Sequence, residues 1–342
     1  AGIGADHVNG YASLPEQFHV AAICDINSDL GKDLASSIEA RYTAEMDDIL
    51  GDPEIDIVDI CLPPSMHVPV AIRVLEARKH AIIEKPFAGS LAEADQLVLA
   101  AKRSSSKLFP VFQYRFGKAF DQLTALQQAD ALGQPLCASL ETHWKRDGDY
   151  YANPWRGTWK HELGGVVLSH AIHAHDLLTE FFGPVANVAA FLTTNANPIE
   201  TEDCAAIMMQ MNNGALATSS ITLGAAVNTT RIRLVYEHLT AESGTEAYSP
   251  GTDTWQFITR DSARQREIDS IINGVPNRPS GFAGFFQTVA EALAGKPGRS
   301  VTIADGVASI ELVSAIYHSN RSAASVSLPL NRNLQIVRAL HP

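Results

Sequence analysis

Cysteine is scarce in this sequence: Cys24, Cys61, Cys137 and Cys204 are the four in 342 residues, with no CxxC spacing. Isolated thiols build neither a cysteine-type zinc cage nor a disulfide framework, and they suit a reducing compartment. Cys24 and Cys61 fall in apolar, strand-like runs, where a free thiol is expected to pack as a small hydrophobe. Long apolar runs are also lacking, so no stretch reaches the length of a membrane span. Basic charge is short, with 26 Lys and Arg against 38 Asp and Glu and a net charge of −12. A field of that sign repels phosphate backbones and anionic lipid, which excludes nucleic acid and membrane surfaces as partners. The chain opens Ala1-Gly2-Ile3-Gly4 without Met. The expectation is a cytoplasmic protein, with an upstream signal peptide left open.

What is present is ordinary for a globular protein: 46% hydrophobic and 19% charged residues. A chain of this length buries roughly three-quarters of its unfolded surface and needs no covalent staples. Strand-like apolar runs at 18–24, 56–62, 80–84 and 107–114 alternate with helical spacing at 29–40, 68–79 and 91–103. Ser90 and Glu93 form a capping box that opens the last of these helices. Such alternation predicts a parallel α/β sheet of the Rossmann dinucleotide-binding type. After about residue 120 strands follow one another closely, at 136–144, 185–194, 205–211, 215–223 and 232–236, with a turn at Asn212-Asn213-Gly214. Helices at 164–182, 282–293 and 304–319 would cover one face. The second unit therefore reads as an α+β domain with a mainly antiparallel open sheet. The expected domains are 1–118, with its first strand lying before Ala1, and 119–342.

Gly2, Ile3 and Gly4 precede a helix running through His7 and Tyr11. Close glycines before a helix let backbone N–H groups receive a pyrophosphate. Asp25 stands 21 residues after Gly4, at the end of the next strand, where a carboxylate would bind ribose hydroxyls. It would repel a 2′-phosphate, so NAD is expected over NADP. Lys85, in Glu84-Lys85-Pro86, sits at the carboxyl end of a strand, on the side where ligands bind in such sheets. Its ammonium could stabilise a developing oxyanion.

These pieces together resemble the Gfo/Idh/MocA oxidoreductases, the family of glucose–fructose oxidoreductase and inositol dehydrogenase. The likeness rests on the Gly-rich start with His7, Cys24-Asp25, Leu62-Pro63-Pro64 with His67, Glu84-Lys85-Pro86, Tyr114-Arg115, Gly164-Gly165, His173-Ala-His-Asp176 and Ile316-Tyr317. It implies that Leu62, Pro63 and His67 lie along the cofactor, with Glu84 near the nicotinamide ribose and Lys85 both beside the cofactor's nicotinamide and the catalytic lysine. Arg115 would join the substrate side. In the second domain the family places an Asp, a His four residues on, and an Asp three beyond. Here Ser169, His173 and Asp176 occupy those positions, so the proton relay departs from the pattern, with His170 a possible compensation. His173 would carry the proton, since imidazole titrates near neutral pH.

The cluster His170, His173, His175 and Asp176 also has metal-ligand residue types. On a helix His170 and His173 share a face that His175 leaves, and the resemblance implies metal-free hydride transfer, so no metal is expected and His175 reads as structural. Residues 143–161 gather Trp144, Arg146, Tyr150, Tyr151, Trp155, Arg156, Trp159 and His161 between Gly and Pro breaks. Aromatic faces pack on the C–H faces of a sugar while Arg and His satisfy its hydroxyls. Trp144, Arg146, Tyr151, Trp155, Arg156, His161 and His170 are therefore the candidate substrate contacts, a contact between subunits being the alternative.

The expected activity is NAD-dependent oxidation, or the reverse reduction, at a hydroxyl-bearing carbon of a sugar, inositol or related polyol. A non-catalytic NAD- or sugar-sensing regulator and an NAD-dependent glycosidase are the other readings of the same resemblance. Family members associate through an open sheet face, which implies a homodimer or homotetramer.

Overall fold

The computed structural model describes residues 2–341. The N-terminal half begins with α1 (Gly2–Ala12), β1 (Ala22–Cys24), α2 (Ser28–Ser37), β2 (Arg41–Thr43) and α3 (Met46–Leu50). It continues with β3 (Ile57–Ile60), α4 (Pro64–Glu76), β4 (His80–Ile83), α5 (Leu91–Arg103) and β5 (Leu108–Pro110). All strand pairs here are parallel: β1 with β2 in one sheet, and β3–β4–β5 in another. Ala81, Ile82 and Ile83 are completely buried. A strand covered on both faces needs apolar residues without alternation, which is why 80–83 reads as an unbroken run.

After α6 (Lys118–Gln128) come β6 (Pro135–Lys145), α7 (Gly148–Tyr151), α8 (Val166–Ser169) and α9 (Ile172–Phe182). Next are β7 (Val185–Thr193), β8 (Cys204–Met211), β9 (Leu216–Thr222), β10 (Gly224–Tyr236), β11 (Leu239–Glu242) and β12 (Gln256–Thr259). The chain closes with α10 (Gln265–Gly274), α11 (Gly281–Leu293), α12 (Ile303–Ser322) and β13 (Val326–Ser327). The strands form one eight-stranded sheet, ordered β12-β11-β10-β6-β9-β8-β7-β13 and antiparallel except between β6 and β9. Ala205, Ile207, Met209 and Met211 of β8 point inward while Met208 is exposed, the period-2 pattern of a sheet covered on one face. Helices α9 and α12 supply that cover. A Thr302–Asp305 capping box starts α12, which packs on β7 and also on α5 and β5 of the N-terminal half. Gly306 permits this: a Cβ there would lie 2.7 Å from the Phe87 ring and 2.8 Å from Pro110.

Several local expectations are corrected. The glycines expected in a loop form the first turn of α1 itself. The strand expected at 18–24 is confined to 22–24 and only half-buried, and Cys24 at its end is exposed, not packed. The run 107–114 leaves the sheet at Pro110 and turns through a 3₁₀ helix at 113–115, and α4 starts at Pro64. In the Ser90 cap, the hydroxyl accepts the Glu93 N–H at 3.2 Å, but the Glu93 carboxylate takes the Gly89 N–H. The helix expected over 164–182 breaks at His170 and Ala171.

Candidate active site

Lys85 stands two residues beyond the end of β4, and two hydrogen bonds hold the backbone there. Glu84 N donates to Ile60 O, and the Glu84 carboxylate accepts Lys85 N at 2.9 Å. The same carboxylate contacts His7 Nε2 at 3.1 Å, and His7 Nδ1 contacts Asp59 at 2.7 Å. Burial alone would lower the His7 pKa, but Asp59, Cys61 and Glu84 reverse this and raise it, so the ring is an imidazolium between two carboxylates. His67 lies one step further, with Nδ1 2.8 Å from Pro86 O and Nε2 2.8 Å from Leu62 O. The Lys85 ammonium donates to Ser169 O at 2.8 Å, and burial lowers its pKa from the usual 10.5.

Ser169 ends α8 and delivers two histidines to the same place. Its hydroxyl donates to Gly165 O at 2.7 Å and contacts His170 Nδ1 at 2.6 Å, local bonds that compete with continuing the helix. His170 Nε2 lies 3.3 Å from the Tyr150 hydroxyl. His173 stacks on Tyr114 with ring centroids 4.3 Å apart, and its Nδ1 is buried with no hydrogen-bond partner. Burial first, and the Lys85 charge second, push both pKa values well below the ordinary histidine value. Both rings are therefore neutral at physiological pH, and each can accept a proton.

A third layer comes from α7 and the loop after it. The Arg146 guanidinium lies 4.9 Å from the Trp144 ring and 4.8 Å from the Tyr150 ring; that of Arg156 lies 4.4 Å from Tyr150 and 4.0 Å from Trp155. Arg156 pairs with Glu162 at 3.0 Å, and Glu162 also accepts the Gly157 N–H. Tyr151 packs edge-on against Tyr150.

The structure thus brings together Lys85, Ser169, His170, His173, Arg146, Tyr151, Trp155 and Arg156. Other expected residues go elsewhere. Arg115 is no substrate contact: it forms a bidentate pair with Asp176 at 2.7 and 2.6 Å and reaches Glu180 and Asp305, each at 3.0 Å. Burial would lower its pKa, but those three carboxylates hold it up. Four of the five guanidinium N–H donors are thus committed to carboxylates, which makes Arg115 part of a buried ion network. Trp144 is 5% exposed and its indole N–H is used by Thr230, so it supports His170 and Arg146 from below. His67 is buried with its ring between the Pro86 and Leu62 carbonyls, and burial lowers its pKa, so the neutral ring donates to one of the two. The Glu84 carboxylate is engaged by His7 and Lys85 N. Part-exposed His161 shows no hydrogen bond or ring contact with the cluster among the described residues.

His175 bonds Ser219 at 3.0 Å and Asp176 holds Arg115, so the His170–Asp176 stretch does not converge as metal ligands. Among the described residues His7, Asp59 and Cys61 do place ligand-type atoms within 4.8 Å of one another. In that cluster each His7 nitrogen already contacts a carboxylate, Asp59 or Glu84. One residue escaped sequence reasoning altogether. Buried Glu202 accepts N–H bonds from Gly165 and Val167 at 3.1 Å each and a 2.7 Å bond from Tyr317, capping α8 from outside. A Cβ on Gly165 would meet Glu202 O at 1.9 Å, so the Gly164-Gly165 pair is the only sequence signal of this contact.

Leu62 and Pro63 follow β3, Asp25 follows β1, and Lys85 follows β4, so all stand at carboxyl ends of parallel strands, and the first turn of α1 approaches the end of β3, where a Cβ on Gly4 would lie 3.7 Å from Cys61. Asp25 accepts the Asn27 N–H at 2.8 Å. Ile3 and Leu62 present exposed apolar side chains. An exposed apolar rim, a helix N-terminus and a carboxylate fit a dinucleotide.

The fold and this cluster define a two-domain oxidoreductase with a Rossmann half. Residues 1–112 match the description "Oxidoreductase family, NAD-binding Rossmann fold", and residues 120–242 match the GFO/IDH/MocA C-terminal domain. The chain belongs to the Gfo/Idh/MocA oxidoreductase family, and its cofactor is NAD. The oxidoreductase YrbE of Bacillus subtilis is 29% identical over 63% of this chain, and the match spans 62% of that relative's length. Inositol 2-dehydrogenase of Salmonella typhimurium is 29% identical over 39% of this chain and 41% of its own. The crystal structure of the WlbA dehydrogenase from Chromobacterium violaceum, in complex with NADH and UDP-GlcNAcA, superposes with a TM-score of 0.85. It is 26% identical and covers 97% of this chain and 94% of its own. Among the described residues no helix is long and apolar enough to cross a membrane.

Proposed function

We propose that the protein oxidises a secondary or anomeric hydroxyl of a sugar, inositol or related polyol, or reduces the corresponding carbonyl, with residues 1–118 holding NAD and 119–342 holding the substrate. The observation that carries this reading is the Lys85 ammonium on the Ser169 carbonyl, beside two neutral histidines. Bound NAD would supply the hydride acceptor. His173 takes the hydroxyl proton through a ring nitrogen that has no other partner. Lys85 donates a hydrogen bond to the same oxygen and stabilises it as alkoxide character develops. The alcohol loses a hydride and a proton, leaving a carbonyl. Ser169 cannot ionise as a carboxylate does. It acts instead as a positioning residue, through its hydroxyl on His170 and its carbonyl on Lys85. Gly2, Ile3, Gly4, Asp25, Leu62 and Pro63 bind the dinucleotide; Arg146, Tyr151, Trp155, Arg156 and His170 face the polyol.

The reading extends to assembly. Phe191, Met208 and Leu216, on the adjacent strands β7, β8 and β9, are 72%, 59% and 57% exposed, an apolar patch suited to a second copy of the chain. A homodimer or homotetramer would bury it. The test of the activity is NADH absorbance on a panel of monosaccharides and inositols, with NAD and NADP in parallel. NADH formation with at least one polyol is expected; none with any polyol, in either direction, would overturn the reading.

A further inference from the structure

The polyol site holds more positive charge than it neutralises. Lys85, Arg146 and Arg156 surround Tyr150 and His170, and Glu162 is committed to Arg156. Asp147, the residue after Arg146, pairs instead with Lys145. Among the described residues Arg146 forms no ion pair at all. One of its amino groups donates to Lys145 O at 2.8 Å and has long contacts of 3.4 Å to Asn228 and Tyr248, and its Nε is buried without any partner. Trp144 and Tyr150 hold the guanidinium plane in place. The contrast with Arg115 is instructive, since that guanidinium satisfies three carboxylates. A part-buried guanidinium without a carboxylate, fixed by aromatic rings and one bond from the catalytic cluster through Tyr150, is a site built for an anion it does not carry.

Resting on the dehydrogenase reading, we infer that the substrate is a polyol bearing an anionic group, a sugar acid or a sugar phosphate, whose anion docks on Arg146 while its hydroxyl lies at Lys85 and His173. The planar fork of arginine matches both carboxylate and phosphate, so the two sources must be separated by experiment.

The test compares the anionic glucuronate, galacturonate, gluconate and glucose 6-phosphate with the neutral glucose, galactose and glucitol, as kcat/KM with NAD and as thermal stabilisation of the NADH-loaded protein. Wild type is expected to prefer the anionic members over their neutral partners by at least about tenfold, the effect of a charge-assisted hydrogen bond. Arg146→Gln should abolish that preference, and Arg146→Lys, which keeps the charge but not the fork, should restore part of it. A Tm scan of each variant separates loss of folding from loss of recognition. Preference for acids over phosphates, or the reverse, identifies the source; either supports the inference. Selective stabilisation by anions that Arg146→Gln abolishes, without NADH formation, would uphold the anion site at Arg146 and overturn the dehydrogenase reading. Equal use of neutral and anionic sugars, a preference unchanged in Arg146→Gln, or no binding of any anion would overturn the inference, and turnover of the neutral sugars would leave the dehydrogenase reading standing.

Discussion

The Lys85 ammonium lies 2.8 Å from the carbonyl oxygen of Ser169, joining the end of a buried parallel strand to the helix break that carries both site histidines. This one bond crosses from the N-terminal half of the chain to the C-terminal half. It sets the ammonium beside rings whose pKa values it helps to lower.

The pH profile follows. A neutral His173 stays competent as a base below its ordinary value of 6.5, and Lys85 loses its proton below 10.5. Both limbs of log kcat/KM against pH should therefore shift to the acid side of those two values. An acid limb above pH 6.5 would show that His173 is not the group that titrates.

Arg115 is expected to contribute to stability and not to recognition. Arg115→Met leaves Asp176 buried without its partner and should cost about 3–5 kcal/mol in urea unfolding. Substrate KM, measured where the variant is folded, should change less than threefold. A large rise in KM with unchanged stability would contradict the ion network described here.

Two histidines should tilt stability in opposite directions. Burial lowers His175 to about 4, so below pH 6.5 the folded state binds fewer protons than the unfolded one and stability falls as pH drops from 6.5 toward 4. His7 is raised, so its contribution is fully present below pH 6.5 and is lost as pH climbs above it. Each slope is at most about 1.4 kcal/mol per pH unit. In urea unfolding, His175→Gln should flatten the acid side of the stability curve and His7→Gln the basic side. Unchanged slopes would mean that neither ring differs in protonation between the folded and unfolded states.

Asp25 should set coenzyme choice. Asp25→Ser removes the carboxylate that would repel a 2′-phosphate, and the ratio of kcat/KM for NAD to that for NADP should fall by at least about tenfold. A wild-type preference for NADP would overturn the role given to this residue.

Much of this was legible in the residues themselves. The unbroken apolar run before Glu84-Lys85-Pro86 places Lys85 at a strand end. The aromatic and Arg content of 143–161, read as a loop, instead spans the end of β6, helix α7 and the segment after it. Charge partners were not legible. Arg115 and Asp176 are 61 residues apart in sequence, and only folding reveals that they satisfy each other. Nothing in the sequence places the His67 ring between the Pro86 and Leu62 carbonyls, each 2.8 Å away. The helix break at His170 and Ala171 is invisible to periodicity because no Gly or Pro marks it. Glu202 reads as an ordinary surface acid, yet burial raises its pKa to about 7 and a glycine admits it to the end of α8.

The most direct test of the account is Lys85→Ala, measured for turnover and, in parallel, for NADH affinity by fluorescence titration. The ammonium is assigned to the reacting oxygen and the dinucleotide to other residues. Turnover should fall on the order of 10²–10⁴-fold while the NADH dissociation constant stays within about threefold. Near-normal turnover in a folded variant would contradict the assignment of residue 85, and with it the claim that this ammonium acts on the substrate hydroxyl.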